Sequence, residues 1–174
     1  MTDDLVHDQL FRQRYRFDRR GDVLRIDIWS DPGGGVLTEH FHPTLEERYE
    51  VVEGELTFHL DGRSQALRAG ERAVVPAGVR HRFENIGEDE SHVRVEAEPA
   101  GLLQESIEEG AALGARGDIS AEGRPKSASA LFAAAAIAQR YRGTVVLTAP
   151  PPFVQRLLFP VLASFARSND RESP

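Results

Sequence analysis

Two of the six histidines in this 174-residue chain, His40 and His42, stand two apart in "EHFHPTLEERYEVVEGE" (39–55). Alternate side chains of an extended strand share a face, so the two imidazoles point the same way. In the strand that follows, Glu47, Tyr49 and Val51 share a face in turn, and a hairpin-like reversal at "HPTLE" sets the carboxylate opposite the imidazoles. The stretch "PAGVRHRFEN" (76–85) repeats the arrangement, with His81, Phe83 and Asn85 on one face after a Pro-x-Gly turn. Three neutral imidazoles and one carboxylate are a donor set for one divalent transition metal: Fe, Mn, Ni, Co or Zn. They suit Cu(I) poorly, which prefers sulfur, and Ca²⁺, which prefers oxygen throughout. Glu46 competes with Glu47 for the carboxylate place. His7, His59 and His92 lie apart from the cluster and read as surface residues.

The elements that position these groups read as β from about residue 22 to residue 98. "DVLRIDIW" (22–29) alternates Leu24, Ile26 and Ile28 against Arg25 and Asp27, the period of a half-buried strand. "ELTFHL" (55–60) does the same with Leu56, Phe58 and Leu60, and "DG" (61–62) closes a hairpin after it. "ERAVVPAG" (71–78) and "SHVRVEAEP" (91–99) supply further short strands, a spacing that suggests a sandwich or small barrel. The pattern then turns helical. Helices are expected over 102–114, over 127–141 with Ser127 or Ser129 as N-cap, and over 150–167, where prolines open the helix and Pro160 sits inside it. The polar, Gly-rich linker 114–126 is expected to be mobile. The division expected is therefore a β domain over 1–99 with an N-terminal arm, and a helical extension over 100–174 packed on it or on a partner subunit.

Composition narrows the function classes. There is no cysteine, which removes disulfides, thiolate metal sites and cysteine nucleophiles. A net charge of −7 argues against general affinity for nucleic acid. The one basic run, "RQRYRFDRR" (12–20), reads as a solvated strand or dimer edge. Past residue 100 the chain is nearly neutral, and its helices lack the tight turn of a helix-turn-helix. The N-terminus has no apolar signal segment, so a cytoplasmic location is expected. Segment 145–166 is apolar, but Gln155, Arg156 and its prolines make it a poor membrane span.

The residue spacing resembles two motifs of the cupin superfamily, G-x5-H-x-H-x3,4-E-x6-G and G-x5-P-x-G-x2-H-x3-N. The first runs here through Gly34, His40, His42, Glu47 and Gly54. The second runs through Gly70, Pro76, Gly78, His81 and Asn85. The spacing to Gly54 selects Glu47 over Glu46. The resemblance covers about residues 20–98 and is to small bacterial single-domain members. It implies a mainly β fold, a cupin (jelly-roll-like) β-barrel with the helices as a C-terminal extension. It also implies one metal per chain held by His40, His42, Glu47 and His81, and a homodimer. Cupins include dioxygenases, isomerases, epimerases, decarboxylases and non-catalytic sensors, so the fold does not choose the reaction. The inward strand residues (Leu24, Ile26, Ile28, Tyr49, Val51, Leu56, Phe58, Leu60, Phe83, Val93, Val95) give an apolar wall with one phenol and no lysine or arginine. That wall favours a dioxygenase-like oxidoreductase acting on an apolar or aromatic small molecule with a ligating oxygen, Glu47 taking a proton and Tyr49 orienting the substrate. A non-catalytic metal-dependent binding or sensor module is the alternative, with a metal-dependent isomerase or epimerase behind it.

Overall fold

A computed structural model describes residues 5–120 and 123–169 of the chain. Ten strands come first: β1 (Val6–Asp8), β2 (Gln13–Arg20), β3 (Val23–Ser30), β4 (His40–Phe41), β5 (Glu46–Glu53), β6 (Glu55–Leu60), β7 (Arg63–Arg68), β8 (Arg72–Val75), β9 (His81–Glu84) and β10 (Ser91–Glu98). Helices α1 (Leu103–Ala115) and α2 (Ala128–Arg140) follow, then a two-residue strand β11 (Val146–Leu147) and helix α3 (Pro152–Asn169). Among the described residues the strands form two antiparallel sheets, in the orders β1-β2-β3-β10-β5-β8 and β11-β4-β9-β6-β7.

Alternation builds the core. In β3, Leu24, Ile26 and Ile28 are buried, and in the paired β10 so are Val93, Val95 and Ala97. Leu56, Phe58 and Phe83 meet them from the second sheet. Of the expected inward residues only Leu60 is no more than half-buried. The sheets do not close into the expected barrel. The chain passes repeatedly from one to the other through bends at 42–45, 54, 69–71 and 76–80, so no continuous ladder runs round the core. Side-chain packing joins them.

Two turns show how the local sequence sets this path. Asp61 and Gly62 both take positive φ (46° and 78°) where Leu60 pairs with Arg63, the twist that suits a two-residue hairpin. Gly34 is required for a different reason. A Cβ there would stand 2.6 Å from the Arg12 carbonyl oxygen and 2.9 Å from that of Asp31. Its own carbonyl accepts from Asn85 N–H (2.8 Å), so the ends of the two motifs are stitched together. The Asn85 side chain donates to the Ser30 and Asp89 carbonyls and accepts from Gly87 N–H.

The arginines of β2 are largely occupied within the chain. Arg14 pairs with Glu90, Arg20 with Asp18, Arg16 lies 5.2 Å from the Trp29 ring centre, and Arg19 donates to the Gly101 carbonyl. β1 pairs with the strand only over Gln13–Tyr15, so Arg16–Arg20 are paired on one side, with β3. The three helices fall where expected, and Ser127 caps α2 by accepting from Ala130 N–H at 3.1 Å. Among the described residues no helix is long and apolar enough to cross a membrane. Within the expected linker, Ile119 is buried and bridges to Pro125.

Candidate metal centre

His40 opens β4 and His81 opens β9, and the two are direct ladder partners, with ring centres 4.3 Å apart. His42 lies one residue beyond β4, its ring 5.1 Å from that of His40 and 5.2 Å from that of His81. Its carbonyl accepts from Gly78 N–H at 2.8 Å, so the Pro-x-Gly turn of the second motif holds the loop of the first. Glu47 arrives from the other sheet. The hairpin-like reversal expected at 42–46 is not formed: β4 pairs with β9 and β11, while β5 pairs with β10 and β8. The carboxylate therefore meets the imidazoles across the space between the sheets rather than along a hairpin. Its Oε2 lies 3.0 Å from His81 Nε2 and 3.3 Å from His42 Nε2. All four side chains are buried, His81 completely.

The hydrogen bonds on the far side of each ring decide what the near side offers. Nδ1 of His40 donates to the Thr38 carbonyl (3.0 Å), that of His42 to the Thr144 carbonyl (2.8 Å) and that of His81 to the Val79 carbonyl (3.1 Å). A carbonyl can only accept, so each Nδ1 carries the proton and each neutral ring has its lone pair on Nε2. One ring nitrogen from each histidine lies within 4.8 Å of the others. Nε2 of His42 and of His81 are buried and have no hydrogen-bond partner, although Glu47 Oε2 is close to both. Lone pairs facing a carboxylate oxygen in a dry site are costly. A cation held by the three imidazole nitrogens would satisfy these lone pairs, and Glu47, close to His42 and His81 but outside the three-histidine group, adds a neighbouring carboxylate.

The charge balance has the same origin. Burial, with His81 and His42 alongside, lowers the His40 pKa to about 3. Burial also disfavours charge on His42, but Glu47 and the Thr144 carbonyl outweigh it and raise its pKa above the ordinary value. Burial would raise the Glu47 pKa, yet His42 and His81 hold it well below the usual carboxylate range. The pocket thus favours a positive charge beside Glu47, from a proton or from a metal. The Tyr49 hydroxyl donates to Glu47 Oε2 at 3.0 Å, and burial and the Glu47 charge push its pKa well up. Its ring is held edge-on by Phe58 and Phe83.

A cavity of about 550 Å³ opens onto this cluster, with His40, His42, Glu47 and Tyr49 in its wall. Helical residues Ile107, Ile137 and Gln155 line it as well, with Tyr141 at the C-terminal end of α2. The wall is mostly apolar, as the strand alternation indicated, but Arg124, from the segment read as a linker, adds a cation to it. His59 bonds Glu84 and Ser64, and His92 bonds Asp27 and stacks on Trp29, both away from the cluster. His7 is exposed. Sequence reasoning missed the Thr144 carbonyl, 102 positions from His42, for which no local signal exists. Gln155 left a signal. It falls in register with Phe159 and Ala163 along one stripe of α3, a polar residue on a face that is otherwise apolar.

Fold and site together define a two-sheet β protein with a buried three-histidine, one-carboxylate cluster at the floor of a cavity. Residues 28–95 match the family model of the cupin domain, and the resemblance to the cupin superfamily is carried by this segment. A cupin described as RmlC-like, from Shewanella frigidimarina, has the same fold (TM-score 0.50, 22% identity, 58% of this chain and 89% of that one). Among sequence relatives, polyketide synthase CurC of Streptomyces cyaneus is 43% identical over 60 residues, 34% of this chain and 39% of the relative. Protein SchB of Streptomyces halstedii is 38% identical over 60 residues, 34% of this chain and 44% of the relative. The matched stretch is less than half the length of either relative.

Proposed function

We propose that the chain is a metal-dependent cupin enzyme of the dioxygenase type. In this reading Nε2 of His40, His42 and His81 and the Glu47 carboxylate hold one Fe, Mn, Ni, Co or Zn ion. The ligand is an apolar, ring-bearing molecule with an anionic or ionisable oxygen. The observation that carries the reading is the pair of buried, unpartnered Nε2 atoms of His42 and His81, which converge with His40 and lie beside the Glu47 carboxylate at the floor of an apolar cavity.

One relative's name adds a substrate class: the similarity to a polyketide synthase favours a polyketide as the ligand. A bound divalent ion supplies Lewis acidity toward the ligand's oxygen and, where it is redox-active, reactivity toward dioxygen. The chain's own residues do the rest. The apolar wall desolvates the ligand and excludes water. Arg124 in the cavity wall offers charge complementarity to an anionic oxygen of the ligand. Glu47 is the carboxylate of the site, and its lowered pKa keeps it ionised and makes it a weak proton acceptor. Tyr49 acts through Glu47, to which its hydroxyl is bonded, and is a positioning residue.

The test is oxygen uptake by protein loaded in turn with each of the five metals and offered catechols, flavonols, β-diketones and polycyclic phenols. Metal-dependent uptake with at least one class supports the reading. Ligand binding without uptake under every combination would replace it with the non-catalytic binding module.

A further inference from the structure

We infer that Gln155 reads the ligand: its side-chain oxygen accepts a hydrogen bond from a hydroxyl on the apolar molecule seated in the cavity. The inference rests on the cavity being the ligand site, as proposed above, and adds which part of the ligand is recognised and by what.

Gln155 is 8% exposed and lines the cavity. Its Nε2 donates to the Leu147 and Pro150 carbonyls, both at 2.6 Å. Both partners are pure acceptors, so the orientation of the amide is fixed, with the nitrogen toward β11 and Oε1 on the other side. Oε1 has no protein partner among the described residues. Leu147 is the ladder partner of His40, which anchors the amide one strand away from the metal cluster. The nitrogen alone accounts for the structural work, tying the first turn of α3 to β11. The oxygen is surplus to that work, a preset acceptor on a largely apolar wall of the cavity. A ligand hydroxyl fills it. An ether oxygen at the same place cannot, because it has no hydrogen to give.

The experiment is a fluorescence titration of the 174-residue chain with 2-naphthalenemethanol and with its methyl ether, compounds that share a ring system and do not ionise. Wild type is expected to bind the alcohol about tenfold more tightly than the ether, the worth of one buried hydrogen bond. Gln155→Lys keeps donors for the two carbonyls and removes the acceptor. It is expected to melt closer to wild type than Gln155→Leu does, while both variants lose the preference for the alcohol. A wild type that binds both compounds equally, or variants that keep the preference, would overturn the role of Gln155 and leave the cavity as the ligand site. Failure of wild type to bind either compound would overturn the cavity reading and this inference with it.

Discussion

At the scale of single residues, the molecule's chemistry rests on which ring nitrogen carries a proton. Three backbone carbonyls hold the Nδ1 protons of His40, His42 and His81, and so three lone pairs are aimed at one place beside Glu47. Binding that depends on this arrangement stabilises the fold by mass action. At a hundredfold excess of metal over Kd the gain is about 2.7 kcal/mol, which for a domain of this size shifts Tm by roughly 5–10 °C. Thermal melts with and without Mn, Co, Ni or Zn should show such a rise in wild type and none in His42→Ala. Tyr49→Phe is a milder case. It leaves the aromatic packing in place and removes one hydrogen bond to Glu47, so metal affinity should fall about tenfold with a near-normal melt. A metal titration checks it, and unchanged affinity would mean that the hydroxyl does not position the carboxylate. The spacing of His40, His42, Glu47 and His81 was legible in the sequence because strand parity and turn residues constrain it locally. Their carbonyl partners were not, since any residue can supply a carbonyl.

Among the elements, the crossing between sheets does what a hairpin was expected to do. Parity placed the right residues on the right faces, but it carries no information about which sheet a strand joins; that is settled by pairings far apart in sequence, such as Glu47 with Val75 and with Ala97. The Asp61-Gly62 hairpin was legible because its turn chemistry is local. The two kinds of glycine make a measurable contrast. Gly34→Ala drives a Cβ into two backbone carbonyls that cannot move aside, and urea denaturation should show a loss of about 3 kcal/mol, at the upper end of ordinary substitutions. Gly62→Ala meets no atom and carries only the strain of a left-handed backbone, about 1 kcal/mol. Equal losses would contradict the assignment of Gly34 to close approach.

Across the whole molecule, the helices and the sheets divide the labour. The sheets bring together the ligating groups, and the segment after residue 99 roofs them: Thr144 holds the His42 ring, β11 extends the ladder of β4, and Ile107, Ile137 and Gln155 line the cavity. Ligand choice and metal retention should therefore separate. Ile137→Trp fills cavity space from the roof, and it is expected to weaken 2-naphthalenemethanol binding at least tenfold while metal stoichiometry stays at that of wild type. Loss of both together would show that roof and floor are not independent. Helical periodicity made the helices legible, but not the surface they cover, because that contact joins residues a hundred positions apart.

X-ray absorption spectroscopy of the protein saturated with Co, Ni or Zn bears most directly on the central claim. One ion per chain with three imidazole nitrogens and a carboxylate oxygen in its coordination shell, the imidazole signal diminished in His42→Ala, is the expected result. An ion coordinated without histidine, or no ion retained after exposure to each of these metals and to Mn and Fe, would contradict it.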